Sequence, residues 1–282
     1  MERNWFHYSE LRNWFHYSEL RRSWMREYIS NFLKYRELFF ELIKKDIKLK
    51  YRNSILGIFW SFLNPLLMMV VLTLIFSNLF DRHIENFPVY VLSGRLLYQF
   101  FSESTTFAMD SIGANGQLIR KVYVPKYLFP ISRICSSFIT TLISMLPLIL
   151  VMIVTGMSFH ATSLLAVYPL ICLLLASVGI GLLLSTLHVF FKDMKHLYSV
   201  LLTIIMYTTP IFYPASIIPE KYRMLIELNP LFHIVTMFRS LLMDGMLPSL
   251  GLAIGTLSYA LVLFLLGLLV FYKYQDKFIF YL

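Results

Sequence analysis

His188 and Asp193 are the two side chains whose spacing most directly suggests catalysis. They open and close the stretch HVFFKD, in which a carboxylate follows an imidazole by five residues. A carboxylate so placed could orient the imidazole to take a proton from an acceptor hydroxyl, as in acyl transfer at a membrane. The stretch continues a long apolar run, however, and no accompanying nucleophile or substrate-binding pattern is evident. A membrane acyltransferase is therefore the weaker interpretation.

Residues that could bind a metal ion or a nucleotide lack the spacing that such sites need. Cys135 and Cys172 each lie inside an apolar run without a CxxC or CxxxH pattern, so we expect two buried apolar side chains and no metal site. No G-x-x-x-x-G-K-[ST] motif is present to cradle nucleotide phosphates. Glu103 and Asp110 lie toward one end of an apolar run, whereas a proton-driven carrier would place ionisable groups near the membrane midplane. We therefore expect no catalytic residue, cofactor or ATPase site in this chain, and a separate ATPase subunit as the source of energy.

The stretch QLIRKVYVPKYLFP, residues 117–130, is too basic to cross a bilayer and too apolar to be an idle linker. A helix that begins near Gly116 should stop before Pro125. Leu118, Val122 and, less directly, Tyr123 can then share one face, with basic residues beside it. A short exposed helix with an apolar ridge fits a groove on another protein. The alternative is a basic loop that rests on anionic lipid.

The composition is that of a membrane protein. The chain has 282 residues, 58% of them hydrophobic, and a mean hydropathy of +0.66. Its net charge of +9 is concentrated beside apolar runs, which fits membrane topology and anionic headgroups better than nucleic acid. The apolar runs predict an all-α integral membrane protein with six transmembrane helices, at 55–80, 87–109, 131–154, 164–187, 197–212 and 250–272.

Three regions flank or interrupt these runs. RNWFHYSEL occurs at 3–11 and again at 12–20, so we expect residues 1–21 to be an unstructured duplication. Apolar residues at helical spacing predict an amphipathic helix at the cytoplasmic membrane interface within 22–54. Residues 55–282 would form the six-span domain. Within it, 213–248 is broken by prolines and predicts short re-entrant or outer helices.

The distribution of Lys and Arg predicts the orientation. Twenty of the 25 lie in the segment up to Arg52, in the loops after the second and fourth runs, and in the tail. The positive-inside rule places these regions and both termini in the cytoplasm, and 213–248 on the outside.

The first apolar run contains Asn64 and Pro65. Proline removes a backbone donor, which leaves the carbonyl near residue 61 without its helical partner. We expect a neighbouring helix or the Ser61 side chain to satisfy that carbonyl.

Four stretches resemble permease subunits of bacterial ATP-binding-cassette (ABC) exporters for polysaccharides of the O-antigen, capsule and teichoic acid types. They cover most of residues 44–245 in the family's order, and they are KYRNSILGIFWSFLNPLLMMVVLTLIFSNLF, NGQLIRKVYVPKYLFPIS, HVFFKDMKHL and TTPIFYPASIIPEKYRMLIELNPLFHIVTMFR. The resemblance implies a multi-pass protein of the bacterial cytoplasmic membrane that moves lipid-linked polysaccharide. It also implies a homodimer around one conduit and two ATPase subunits that bind ATP and Mg²⁺. An ABC exporter of a drug or small lipid remains an alternative.

The resemblance also gives roles to residues. Those expected to form a coupling helix on the ATPase are Gln117, Leu118, Ile119, Arg120, Lys121, Val122, Tyr123, Pro125 and Lys126. In the second cytoplasmic loop, either an additional contact or a plain topology anchor is expected from Lys192, Asp193 and Lys195.

Aromatic surfaces suit the apolar faces of sugar rings, so several residues are candidates to line the conduit. They are Arg95, Tyr98, Phe101, Phe107, Tyr207, Phe212 and Tyr213. Interfacial belts and helix packing are the alternative for each aromatic residue. Arg95 would meet phosphate or acidic sugar in transit, or anchor its helix by snorkelling.

Overall fold

The computed structural model describes residues 33–80, 84, 86–214, 217, 219–227 and 229–282. Every regular element in these ranges is a helix, which confirms the predicted all-α class. The duplicated RNWFHYSEL segment and the first part of the predicted interface helix lie outside the described residues.

Ten α-helices are found in the described ranges. They are α1 (Arg36–Tyr51), α2 (Trp60–Phe80), α3 (Phe87–Ala114), α4 (Gly116–Lys121), α5 (Leu128–Val154), α6 (Val167–Phe190), α7 (Met194–Thr208), α8 (Glu220–Glu227), α9 (Pro230–Arg239) and α10 (Leu250–Tyr274). Shorter 3₁₀ segments are Gly57–Phe59, Ala161–Ala166 and Gln275–Phe280, and Ser240–Asp244 forms a π-helical turn.

Helix α1 is amphipathic, as its apolar spacing predicts. The chain divides into two units within this helix, between Leu42 and Ile43. Phe39, Leu42 and Ile43 are buried, whereas Glu37 and Lys45 are exposed.

Four segments are long and apolar enough to cross a membrane, judged by length and composition within the described ranges. They are Gly57–Phe76, Leu128–Val154, Ala161–Phe190 and Leu250–Phe280. They coincide with the predicted first, third, fourth and sixth runs. Four of the six predicted spans are therefore supported. Helix α3 has 28 residues, or about 42 Å, but carries Arg95, Glu103 and Asp110. Helix α7 has 15 residues, or about 22 Å, which is shorter than the hydrocarbon core of about 30 Å.

The proline in α2 has the consequence that its backbone chemistry predicts. Pro65 cannot donate to the Ser61 carbonyl, and Ser144 Oγ of α5 donates to that oxygen at 2.8 Å instead. A neighbouring helix therefore satisfies the freed carbonyl, and α2 is fixed against α5 at this point.

Helix α6 is the central element of the membrane-spanning part. Of the four apolar segments, Ala161–Phe190, which contains α6, is the most buried. In its apolar 18-residue stretch 67% is buried, compared with 39% for Leu128–Val154. The α6 and α10 backbones come into direct contact at Gly179 and Gly267, where a Cβ on Gly267 would lie 2.6 Å from the Gly179 carbonyl carbon. Small residues permit this approach, which is how helices commonly associate in lipid.

Candidate functional site

The segment that contains helix α4 exposes an apolar surface, and two of its other residues are buried. The helix begins at Gly116 and ends at Lys121, before Pro125, as predicted. Ile119 and Val124 are each 6% exposed and fix the segment to the body of the protein. Above them, Leu118 of α4 is 37% exposed, and Val122 and Tyr123, which follow the end of the helix, are 52% and 90% exposed. The predicted common helical face is therefore not formed, because the helix ends at Lys121 and Val122 is extended. We call Leu118, Val122 and Tyr123 the α4 ridge.

Polar side chains flank the α4 ridge. Gln117, Arg120 and Lys121 are all exposed. The two cations lie in the last turn of the helix, where positive charge also complements the helix dipole. The surface therefore combines exposed apolar side chains with exposed basic ones, and a protein contact uses both kinds.

Three residues predicted to belong to this contact have other surroundings. Ile119 is buried beneath the ridge. Lys126 is partly buried, and its Nζ donates to the Gln275 carbonyl at 2.9 Å and lies 3.9 Å from Asp276 Oδ1. Pro125 is half-buried at the turn into α5. These residues support the α4 segment, and Lys126 joins it to the 3₁₀ segment Gln275–Phe280.

The predicted second cytoplasmic loop, which contains Lys192, Asp193 and Lys195, is joined to α3 through Asp110. Asp110 Oδ2 lies 3.1 Å from Lys195 Nζ, and its Oδ1 lies 3.4 Å from His188 Nε2. Lys192 and Asp193 are exposed beside them. One carboxylate thus links the end of α3, close to α4, with the α6–α7 turn.

The same contacts bear on the acyl-transfer interpretation. The carboxylate within reach of His188 comes from Asp110 on another helix, whereas the H-x-x-x-x-D spacing predicts Asp193. The sequence gives no local signal for this pairing because the two residues are 78 positions apart in the chain.

Two ion pairs hold the second half of α1 against the spans. Arg133 Nε lies 3.2 Å from Asp46 Oδ2, and Lys50 pairs with Glu103 of α3. Burial raises the pKa of Asp46 above its usual range, and the nearby Arg133 opposes that shift. Arg133 and Lys50, which the charge count treats as topology anchors, therefore also position α1.

Arg239, at the end of α9, organises the segment expected to face outward. Its guanidinium donates to the carbonyl oxygens of Pro210 at 2.6 Å and Tyr90 at 2.8 Å. It also lies over the Tyr90 ring, 3.4 Å from the centroid. Burial lowers the pKa of Arg239 to about 10, so the side chain stays charged at neutral pH.

This role of Arg239 was not predicted from the sequence, in which it counts only as one of the cations on the outer side. A glycine is required opposite it, because a Cβ on Gly94 would lie 3.3 Å from Arg239 Cζ and still closer to Nη2. The partners lie on α3 and in the 209–213 loop, far from Arg239 in sequence.

The structure does not bring the seven predicted conduit residues together. Tyr98 and Phe101 are buried between helices, and the Tyr98 hydroxyl donates to the Leu202 carbonyl at 2.9 Å. Both side chains are therefore part of the packing between helices in this structure, and their role in a conduit stays a prediction.

The remaining candidates occupy three different places. Tyr207 lies in the last turn of α7, and Phe212 and Tyr213 follow that helix. The Tyr213 hydroxyl donates to the Tyr207 carbonyl at 2.6 Å. Phe107 is exposed elsewhere on α3. Arg95 is partly buried, and its Nε has no hydrogen-bond partner within the described ranges.

A polar cleft between α1, α2, α3 and α5 was not predicted at all. It has a volume of about 160 Å³ and opens beside the Lys50–Glu103 pair. Its walls include hydroxyl and amide side chains that sequence patterns cannot distinguish from ordinary helix-packing residues.

A family profile and several known proteins are similar to this chain. The profile of the ABC-2 type transporter family matches residues 37–243. The chain is 30% identical over 244 residues to the O-antigen export system permease protein RfbA of Klebsiella pneumoniae, covering 86% of this chain and 93% of that one. A protein of the same name from Myxococcus xanthus is 30% identical over 78% of this chain and 85% of its own. The polysialic acid transport protein KpsM of Escherichia coli is 29% identical over 80% of this chain and 89% of its own.

Proposed function

The chain belongs to the ABC-2 type transporter family, and from that premise we propose that it is the membrane subunit of an ATP-driven polysaccharide exporter. The cargo would be a lipid-linked polysaccharide of the O-antigen or capsule type, with teichoic acid as a further member of this class. The observation that carries the proposal is similarity over nearly the full length of relatives named for O-antigen and polysialic acid transport.

The α4 ridge supports a separate ATPase as the source of energy. Its three exposed apolar side chains fit a groove on a cytoplasmic partner, and Arg120 and Lys121 would pair with acidic groups at the rim of that groove. The exposed Lys192 and Asp193 would form an additional contact. ATP and Mg²⁺ would bind to the ATPase subunits, where hydrolysis would take place.

Two copies of the chain would enclose the conduit, because the spans of one chain are too few to surround a wide path. Each copy would bind one ATPase subunit. In the membrane we expect α3 and the α7 region to complete six crossings, with both termini in the cytoplasm and α9 on the outer side.

The contacts of α4 suggest how movement would be transmitted. Closure of the ATPase subunits on nucleotide would displace α4, which follows α3 after the single residue Asn115. Asp110 connects that end of α3 to His188 and Lys195. A displacement of α4 would therefore reach α3, α6 and α7 together, as a rigid-body shift of packed helices.

Deleting the gene in its source bacterium tests this function. We expect polysaccharide to disappear from the surface of intact cells while the lipid-linked form accumulates inside them, because synthesis continues without export. Antibody or lectin binding to intact and lysed cells measures both pools. Restoration by the plasmid-borne gene is the control. An unchanged surface pool would contradict the proposal and favour a different cargo, such as a drug or a small lipid.

A further inference from the structure

The polar cleft contains hydrogen-bonding groups that the fold does not use. Asn64 of α2 and Gln99 of α3 line it, and neither amide makes a side-chain hydrogen bond within the described part of the chain. An amide group offers two donors and one acceptor. By contrast, Ser144 is engaged with the Ser61 carbonyl, and the hydroxyls of Tyr51 and Ser61 are bonded to each other.

The charge at the mouth of the cleft favours a neutral ligand. Lys50 is paired with Glu103, so the two charges cancel and leave no net positive charge to attract an anion. The same pair suits a ligand with several hydroxyl groups, because the carboxylate accepts hydrogen bonds and the ammonium donates them.

The size and the aromatic wall of the cleft favour a single ring. A protein cavity of about 150 Å³ accommodates benzene, and this cleft has a volume of about 160 Å³. Trp60 also lines it and is 43% exposed, so an indole face is available to the apolar face of a ring.

We propose that this cleft binds one neutral sugar ring of the exported polysaccharide. The inference rests on the proposed function and adds a saccharide subsite within each protomer. The Gln99 and Asn64 amides would bind ring hydroxyls, Trp60 would cover one ring face, and the Lys50–Glu103 pair would discriminate against phosphate.

Fluorescence of Trp60 tests the proposal directly. A variant in which Trp5, Trp14 and Trp24 are replaced by Phe leaves Trp60 as the single indole. The purified full-length variant is prepared in an amine-oxide detergent, since alkyl glycoside detergents would themselves supply sugar rings. It is titrated with methyl glucoside, methyl mannoside, methyl galactoside and N-acetylglucosamine, and separately with pyrophosphate.

At least one neutral sugar should change the fluorescence of Trp60 with saturation. Gln99→Leu should weaken that binding by about tenfold, because it removes a hydrogen-bonding group from a desolvated site. Asn64→Leu, at an exposed position, should act in the same direction and guards against misfolding of the first variant. Asn53→Leu replaces an exposed amide outside the cleft and should leave binding unchanged.

No saturable change with any of the four sugars would overturn the proposal. A response to pyrophosphate alone would also overturn it, because the cleft would then be a phosphate site. If wild-type protein restores surface polysaccharide to the deletion strain and yet binds no sugar, only this inference fails. If deletion of the gene leaves the surface polysaccharide unchanged, the proposed function itself is contradicted.

Discussion

Replacing Arg120 and Lys121 together with Glu should abolish polysaccharide export without removing the chain from the membrane. Both side chains are exposed beside the α4 ridge, and neither contributes to the buried contacts of Ile119 and Val124 beneath it. The change reverses the charge at the rim of the proposed contact. Like charges across an interface cost several kcal/mol, and every 1.4 kcal/mol weakens binding about tenfold.

Co-purification of the ATPase with the affinity-tagged chain measures the effect, with surface polysaccharide as the second readout. Lys45→Glu with Lys48→Glu is the matched control, because it reverses the same number of charges at exposed positions on α1. It should retain the ATPase. Normal recovery of the ATPase with the α4 variant would show that the ridge is not the docking surface.

Replacing Gly267 with Ala should strongly destabilise the membrane-spanning part. The added Cβ would lie 2.6 Å from the Gly179 carbonyl carbon and closer still to its oxygen, so α6 and α10 would have to separate. Both contacting groups are backbone atoms, which cannot rotate away as a side chain can. Overpacking of this kind costs about 1–3 kcal/mol, which corresponds to a fall in melting temperature of about 2–12 °C for a chain of this size.

Gly255→Ala in the same helix is the matched control for that change. A Cβ at Gly255 meets no atom within 4 Å, so no helix has to move. Alanine also favours the helical backbone over glycine by about 1 kcal/mol, so this variant should melt at the same temperature or slightly higher. Thermal unfolding of both purified variants makes the comparison. Equal melting temperatures would mean that the α6–α10 contact does not limit stability.

Local chemistry made several features predictable from the sequence. Apolar runs must form helices in a bilayer because no water is present to bind exposed backbone groups. Helix α4 ends before Pro125, as predicted, since proline disfavours the helical conformation of the residue before it. The gap left by Pro65 had to be filled, and a serine of a neighbouring helix fills it.

Features that depend on distant partners were not predictable in this way. Arg239 looks like any outward cation until Tyr90 and Pro210 are brought to it by the fold. Tyr98 and Phe101 have the same side-chain chemistry whether they line a conduit or pack between helices, and only the fold shows that they are buried. The cleft is likewise built from side chains of four helices that are ordinary in each helix alone.

Apolarity alone also misjudged where one predicted span ends. The fifth predicted run, 197–212, continues past Thr208, which is the last residue of α7, and Thr209 after it is extended. Thr209 and Pro210 end the helix because proline restricts the residue before it. Arg239 binds the residues beyond this point, and a hydropathy pattern contains no signal for such a contact.

Transport by purified components in proteoliposomes tests the central claim most directly. Vesicles are prepared with the chain alone, with the chain and its ATPase, and with the ATPase alone, each supplied with the lipid-linked polysaccharide. Vesicles that contain both proteins should move the polysaccharide across the bilayer when ATP is added, and vesicles that contain either protein alone should not. Movement at the same rate by the chain alone would contradict the account, since the conduit would then need no docked ATPase.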